Sequence, residues 1–285
     1  MSQAKPHTAL TLAAPMRRAD PIGIFDSGVG GLTVAAAIRR VMPDEKLLYL
    51  ADVARQPYGT KSPRTVTRYA VQAAEFLVGR GIKALVVACN TASAVALEAI
   101  SERFPSLPVL GVVEAGAAGA VAASVSGRIV VAATEGTCKS MAYERAIAGW
   151  RGDSRVTCIP CPLFVALAEE GLTDGPIVES VARHYLAPLF DGSGGEDCLV
   201  LGCTHFPLLA DALGRLAGPK VRLVDCAQAT ATLLVETLAG CEAPADTGGG
   251  LTLIATDAPE RFSRIAQRLF PTMDEASRVE LADLF

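Results

Sequence analysis

Four times along the chain, a short run of Val, Ile and Leu gives way to a polar or glycine-bearing turn, and then to an alanine-rich stretch. "PIGIF" leads into "DSGVGG" and "LTVAAAIRRV". "KALVVA" leads into "CNTA" and "SAVALEAI". "GRIVVAA" leads into the turn "TEGTCKS" and then "MAYERAIAG". "DCLVLG" leads into "CTHF" and "PLLADALGRLA". Apolar runs without alternation are what strands covered on both faces look like. Their regular exchange with helical stretches predicts an α/β fold with mostly parallel sheets.

The pattern also repeats internally. The glycine-turn unit beginning at Ile22 recurs in shape at Ile129, and the cysteine unit at Cys89 recurs at Cys203, at nearly the same offset. After each cysteine unit comes a predicted strand ending in an acid: "VLGVVEAG" with Glu114, and "VRLVDCAQ" with Asp225. Two similar α/β domains related by a pseudo-two-fold axis are expected. Ligands of open parallel sheets sit at the carboxyl ends of the strands, so both cysteine loops are expected in one cleft between the domains.

Composition narrows the function classes. A chain of 285 residues with 51% hydrophobic and 20% charged side chains is globular. A formal net charge of −4 with no block of Lys or Arg argues against nucleic acid as a partner. No apolar run is long enough for a membrane span. Residues 1–20 read as a flexible tail and not a signal peptide, because Pro15 and Arg17-Arg18 interrupt the weak apolar patch. Eight cysteines without a secretory signal suggest reduced thiols and a cytoplasmic location.

The chemistry-bearing positions fall in the turns. Asp26-Ser27-Gly28-Val29-Gly30-Gly31 lies between a strand and a helix, where backbone N–H groups and the helix N-terminus favour an anion. It is neither a P-loop nor a full dinucleotide fingerprint, since Thr33 stands where the third glycine belongs. Cys89-Asn90-Thr91 and Cys203-Thr204-His205 place thiols at predicted helix starts, where the dipole favours a thiolate. The adjacent amide and hydroxyl groups suit a carboxylate, and His205 can orient Cys203 or share its proton. The loop 52–59, after the strand "KLLYLA", contains Pro57, Tyr58 and Gly59, a shaped turn able to line a pocket. Cys158 and Cys161 form a CxxC without a second pair or nearby histidines, so no metal site is expected. Glu169-Glu170 reads as a solvated helix end or, as the alternative, a catalytic carboxylate.

Two thiols around an anion site suit proton abstraction next to a carboxylate. A stereocentre inverts when one group removes its proton and another delivers one to the opposite face. Each group must serve as both acid and base, and cysteine, with an ordinary pKa of about 8.5, is placed for that near neutrality.

The segments "GIFDSGVGGLTV", "PYGTKS", "VVACNTASA", "GVVEAG", "CPLFVALAEEGL" and "LGCTHFPLL", with the looser "LVDCA" and "ATDAPERFSRIAQRLF", span about Ile22 to Phe270. Together they resemble the glutamate racemases of the cofactor-independent aspartate/glutamate racemase superfamily. The resemblance implies that free glutamate binds between two α/β domains with neither cofactor nor metal. It implies that Cys89 serves the D-glutamate side with support from Asp26, and that Cys203 serves the L-glutamate side with support from Glu169 and His205. The substrate contacts it implies are Asp26, Ser27, Pro57, Tyr58, Gly59, Asn90, Thr91, Thr134, Thr137, Thr204 and His205.

It further implies a domain of residues 21–113 plus 225–285 and a second of residues 114–224. The implied role is D-glutamate supply for peptidoglycan and the cell wall. A homodimer and, as in some relatives, a cell-wall precursor as activator are the implied partners. Two positions depart from the family pattern: Ala115 stands where many members have proline, and Cys226 where "VDS" is more usual. The alternatives are an aspartate or other acidic amino-acid racemase, a one-thiol decarboxylase relative, a non-catalytic binder of acidic metabolites, and a nucleotide enzyme built on the glycine loop.

Overall fold

A computed structural model of the chain describes residues 18–190, 194–241, 248–269 and 279–284. Nearly all of the expected N-terminal tail, residues 1–17, lies outside them. Residues 18–20 form a turn, and the Arg18 guanidinium donates to the Gly240 carbonyl at 2.9 Å.

The first half opens with β1 (Ile22–Asp26), α1 (Leu32–Val41), β2 (Lys46–Ala51), α2 (Pro63–Gly79), β3 (Ala84–Val87), α3 (Asn90–Arg103) and β4 (Val109–Gly111). The second half runs through α4 (Val112–Ala123), β5 (Arg128–Ala133), α5 (Glu135–Ser140), α6 (Ala142–Trp150), β6 (Arg155–Pro160), α7 (Pro162–Glu169), α8 (Pro176–Leu186), β7 (Cys198–Gly202), α9 (Ala210–Ala217) and β8 (Arg222–Asp225). The chain then passes through α10 (Cys226–Thr237) to β9 (Gly250–Ala255), α11 (Pro259–Leu269) and β10 (Glu280–Leu281).

These strands form two sheets. One has the order β10-β9-β2-β1-β3-β4 and the other β6-β5-β7-β8, and every strand pairing among the described residues is parallel. The order β2-β1-β3-β4 in the first sheet equals β6-β5-β7-β8 in the second, with each strand replaced by its counterpart. The sequence repeat is therefore a repeat of topology, and β9 and β10 extend only the first copy.

Helices cover both faces of each sheet, which accounts for the unbroken burial of β1, β3 and β7. One apolar cluster fills the space between the halves. It takes Ile24 and Val86 from the first sheet, Val131 and Val200 from the second, and side chains of α1, α4 and α10. The outer face of the first sheet packs under α2 and α3, and that of the second under α7, α8 and α9. Helix α10 contacts both α1 and α4, so it fastens the halves together.

Three local expectations change. "TEGTCKS" is helix α5, not a turn, because the Thr134 side chain caps it by accepting from the Thr137 N–H at 3.3 Å. Glu114 lies in the first turn of α4 with its side chain exposed, because β4 is only three residues long and ends at Gly111. Cys203 is followed by a turn and by 3-10 helix over Phe206–Leu209, and α9 begins only at Ala210. Cys89, in contrast, is the N-cap of α3.

Leu199 is fully buried in β7, within the outer core of the second sheet. Leu199→Ala is expected to lower the unfolding free energy by about 2–5 kcal/mol, read from urea denaturation.

Candidate active site

The glycine turn after β1 is organised by Asp26. Its Oδ2 accepts from the Gly28 N–H at 3.1 Å and the Gly31 N–H at 3.0 Å. These two bonds fold the backbone back over the strand end, and the Tyr49 hydroxyl fixes the turn from below by donating to the Gly28 carbonyl at 3.0 Å. Ser27 at the rim accepts a hydrogen bond from the Cys89 thiol at 3.3 Å. Cys89 arrives on the neighbouring strand, β3, and its position as N-cap places Asn90 and Thr91 in the first turn of α3.

The second half supplies the facing wall. Strand β7 delivers Cys203, whose sulfur lies 3.7 Å from His205 Nδ1. The other ring nitrogen, Nε2, lies 3.4 Å from Glu169 Oε1 at the end of α7. Arg261 of α11 approaches the second Glu169 oxygen at 3.7 Å. Thr134, Thr137 and Thr91 form a cluster of hydroxyls across the two halves, with Thr91 and Thr137 each 2.9 Å from Thr134.

The halves meet where glycine removes the side chain. A Cβ on Gly30 would collide with Thr204 Oγ1 and lie 2.7 Å from His205 Nδ1. A Cβ on Gly59 would lie 2.8 Å from that of Thr134, and the Gly136 N–H donates to the Gly59 carbonyl at 2.8 Å. The loop 52–59 is held from behind by Asp52. That carboxylate accepts from the Arg55 Nε at 2.6 Å, from Thr256 at 3.1 Å, and from the Tyr58 hydroxyl.

Between these walls lies a cavity of about 310 Å³. Ser27, Pro57, Tyr58, Gly59, Cys89, Asn90, Thr91, Thr134, Glu169, Cys203, Thr204 and His205 all line it. Asp26 and Thr137, expected as substrate contacts, are buried behind the wall instead, Asp26 under the glycine turn and Thr137 under Thr134. A larger groove of about 660 Å³ runs between α3, α4 and α6, but no cysteine or histidine lines it.

Residues 32–234 match the Asp/Glu/hydantoin racemase family. A glutamate racemase of Geobacter metallireducens is 51% identical over 249 residues, covering 87% of this chain and 91% of its own. The chain belongs to the Asp/Glu/hydantoin racemase family. As an amino-acid racemase it is an isomerase. The Francisella tularensis glutamate racemase, solved with D-glutamate, superposes with a TM-score of 0.86 at 33% identity over 94% of this chain and 98% of its own. The Escherichia coli glutamate racemase, solved with L-glutamate and the activator UDP-MurNAc-ala, gives a TM-score of 0.72 at 32% identity over 88% of this chain and 95% of its own.

The two thiols of the racemase have unlike surroundings. Burial pushes Cys89 up to about 12, and the charge of Asp26 adds to this against the hydrogen bond to Ser27. This reverses the expectation of a dipole-stabilised thiolate at Cys89: desolvation and a neighbouring carboxylate outweigh the helix terminus. Cys203 also raises Cys89, so the two sulfurs lie within electrostatic reach of each other. Burial raises Asp26 too, opposed by the charge of His205 from the other half. At His205 burial acts downward, yet contacts with Cys203 and Glu169 and the charge of Asp26 outweigh it, and the pKa is pushed up to about 10. The His205 imidazole beside Glu169 holds that carboxyl below its ordinary value despite partial burial, with Arg261 assisting.

Further residues complete the racemase's cavity wall. Gln56 lines the cavity, and a Cβ on Gly28 would meet its amide oxygen. Pro162, Val165 and Ala166 of α7 supply the apolar side, and only the periodicity of "CPLFVALAEEG" hinted that one helix face points inward. The CxxC forms no chelate. Cys158 packs with the cluster between the halves and Cys161 with the outer core, on opposite faces of the sheet. All eight cysteines are unpaired, and among the described residues no group of three or more His, Cys, Asp or Glu side chains is placed to hold a metal.

A folded-state His205 pKa raised to about 10 stabilises the protein fully below the ordinary histidine value of about 6.5, and that stability is lost as pH rises towards 10. The urea midpoint is therefore expected to fall from pH 6 to pH 10 more steeply in the wild type than in His205→Asn. Parallel profiles would show that His205 makes no such contribution.

Proposed function

We propose that the protein interconverts L-glutamate and D-glutamate by moving the Cα proton between Cys89 and Cys203, and so supplies D-glutamate for peptidoglycan. One observation carries this reading: two thiols from counterpart strands of a duplicated fold line the same small cavity. The glutamate named in the Francisella and Escherichia structures supports the choice of substrate.

Each step uses side chains of this chain. The first turn of α3, with Asn90 and Thr91, and the glycine turn offer donors for carboxylate groups. Cys89, protonated in the empty site, acts on the D-glutamate side. Asp26 beneath it is the group that relieves it of its proton before it serves as base. The positive ammonium group of the substrate favours that deprotonation. Cys203 acts on the L-glutamate side, with His205, held by Glu169, as its partner in the transfer. Negative charge developing at Cα and its carboxylate in the transition state is met by these same fixed donors.

The layout of domains proposed with this reaction is 21–113 plus 225–285 for the first and 114–224 for the second. Membership of the two sheets supports it, with β8 ending at Asp225, where the chain turns back through α10. The eight unpaired thiols fit a reducing, cytoplasmic setting. No helix among the described residues is long and apolar enough to cross a membrane. The activator named for the Escherichia relative makes a cell-wall precursor the additive to test.

Proton NMR of L-glutamate and D-glutamate in D2O, followed alongside circular dichroism, tests the reaction. The Cα proton signal is expected to decay and the optical signal to reach zero from both enantiomers. Racemisation of aspartate but not glutamate would redirect the substrate. Silence with both, also after addition of UDP-MurNAc-ala, would overturn the racemase reading. Cys89→Ala and Cys203→Ala are each expected to slow racemisation about 10²–10⁴-fold, as loss of one acid–base partner does.

A further inference from the structure

A buried polar chain enters the cavity wall from the second half and has no part in the proton transfer. Tyr143 of α6 is completely buried, and its hydroxyl donates to Asn90 Oδ1 at 2.7 Å. The Cys226 sulfur lies 3.1 Å from the same hydroxyl, and its own S–H is directed at the Leu201 carbonyl at 3.4 Å. With that thiol proton engaged, the single phenolic proton is left for the amide oxygen, a better acceptor than sulfur. Burial, with Cys226 adding to it, raises Tyr143 well above the ordinary phenol value, so the hydroxyl stays a donor through the working pH range.

The other edge of the amide is unpartnered. Asn90 is 3% exposed and lines the cavity, and its Nδ2 is buried without a partner among the described residues. A buried N–H2 with nothing to donate to is costly, and an incoming carboxylate relieves that cost. The packing around the hydroxyl is close. A Cβ on Gly116 of α4 would lie 2.6 Å from Cys226 Sγ and 3.1 Å from Tyr143 Oη.

We propose that Tyr143 is a positioning residue for the substrate: its hydroxyl fixes the Asn90 amide with the N–H2 edge turned into the cavity to receive a substrate carboxylate. Freed from this bond, the amide can turn over and present its oxygen to the carboxylate, which repels it. Tyr143 thus lets the second half set the binding strength of a group carried by the first. The inference rests on glutamate being the ligand.

Steady-state kinetics of wild type, Tyr143→Phe, Asn90→Ala and the double variant test it in both directions. Tyr143→Phe keeps the ring and is expected to raise KM for both enantiomers about tenfold, with kcat held within about threefold and the thermal midpoint close to wild type. In the double variant Tyr143→Phe is expected to add nothing to Asn90→Ala, since both remove the same contact.

An unchanged KM in Tyr143→Phe would overturn the proposal. So would independent addition of the two effects, or a fall in kcat and stability without a KM change. If Tyr143→Phe does not fold, Gly116→Ala crowds the same hydroxyl without removing a polar atom, and an unchanged KM there overturns the proposal equally. Wild-type protein that binds glutamate in calorimetry without racemising it would overturn the reaction, and Tyr143 would then be judged by the same tenfold change in affinity. Wild-type protein that neither binds nor converts glutamate would overturn both.

Discussion

The site depends on how closely two backbones approach each other. Gly30 lies against Thr204 and His205, Gly59 lies against Thr134, and the Gly136 N–H reaches the Gly59 carbonyl. Glycine is required at these places for lack of room, not for backbone freedom: neither Gly30 nor Gly59 is among the residues with positive φ. Any side chain there would push the carboxyl ends of the two sheets apart. The cysteines would then face separate pockets, and the hydroxyl cluster of Thr91, Thr134 and Thr137 would not form across the seam. The apolar cluster shared by both sheets and α10 supports this approach from beneath.

Within that seam, desolvation sets the starting state. Asp26 and Cys89 are both buried, and both are shifted towards their neutral forms. On the opposite wall, His205 is shifted towards its charged form, because Glu169 and Cys203 outweigh its burial. Cys89 therefore begins as a neutral thiol, while the other wall holds His205 as an ion pair with Glu169, although the strands beneath them have the same topology. Duplication supplied the geometry, and the unlike residues around each thiol supplied the electrostatics.

Much of this was legible in the sequence, for physical reasons. Strands buried on both faces leave unbroken apolar runs, so β1, β3, β5 and β7 could be read directly, and with them the places where Asp26, Cys89, Thr134 and Cys203 emerge. The short elements were hidden. Helix α5 depends on the Thr134 cap more than on an apolar face, and the 3-10 turn after His205 leaves no periodicity to detect. The Cys89 pKa was misjudged because a helix terminus is visible in sequence and the depth of burial is not. Tyr143 reaches the site wall through a tertiary contact, and nothing in its local sequence marks it for that place.

The unlike walls have a consequence for the energetics of turnover. Mirror-image amino acids have equal free energies in water, so no enzyme can favour one at equilibrium, whatever the asymmetry of its site. For the reaction proposed, kcat/KM must then be identical in the two directions, since both pass over one highest barrier from isoenergetic starting points. The difference between a wall with a protonated Cys89 and one with a His205–Glu169 ion pair can appear only in how strongly each enantiomer is held. The form bound more tightly is the one converted more slowly at saturation, in the same proportion.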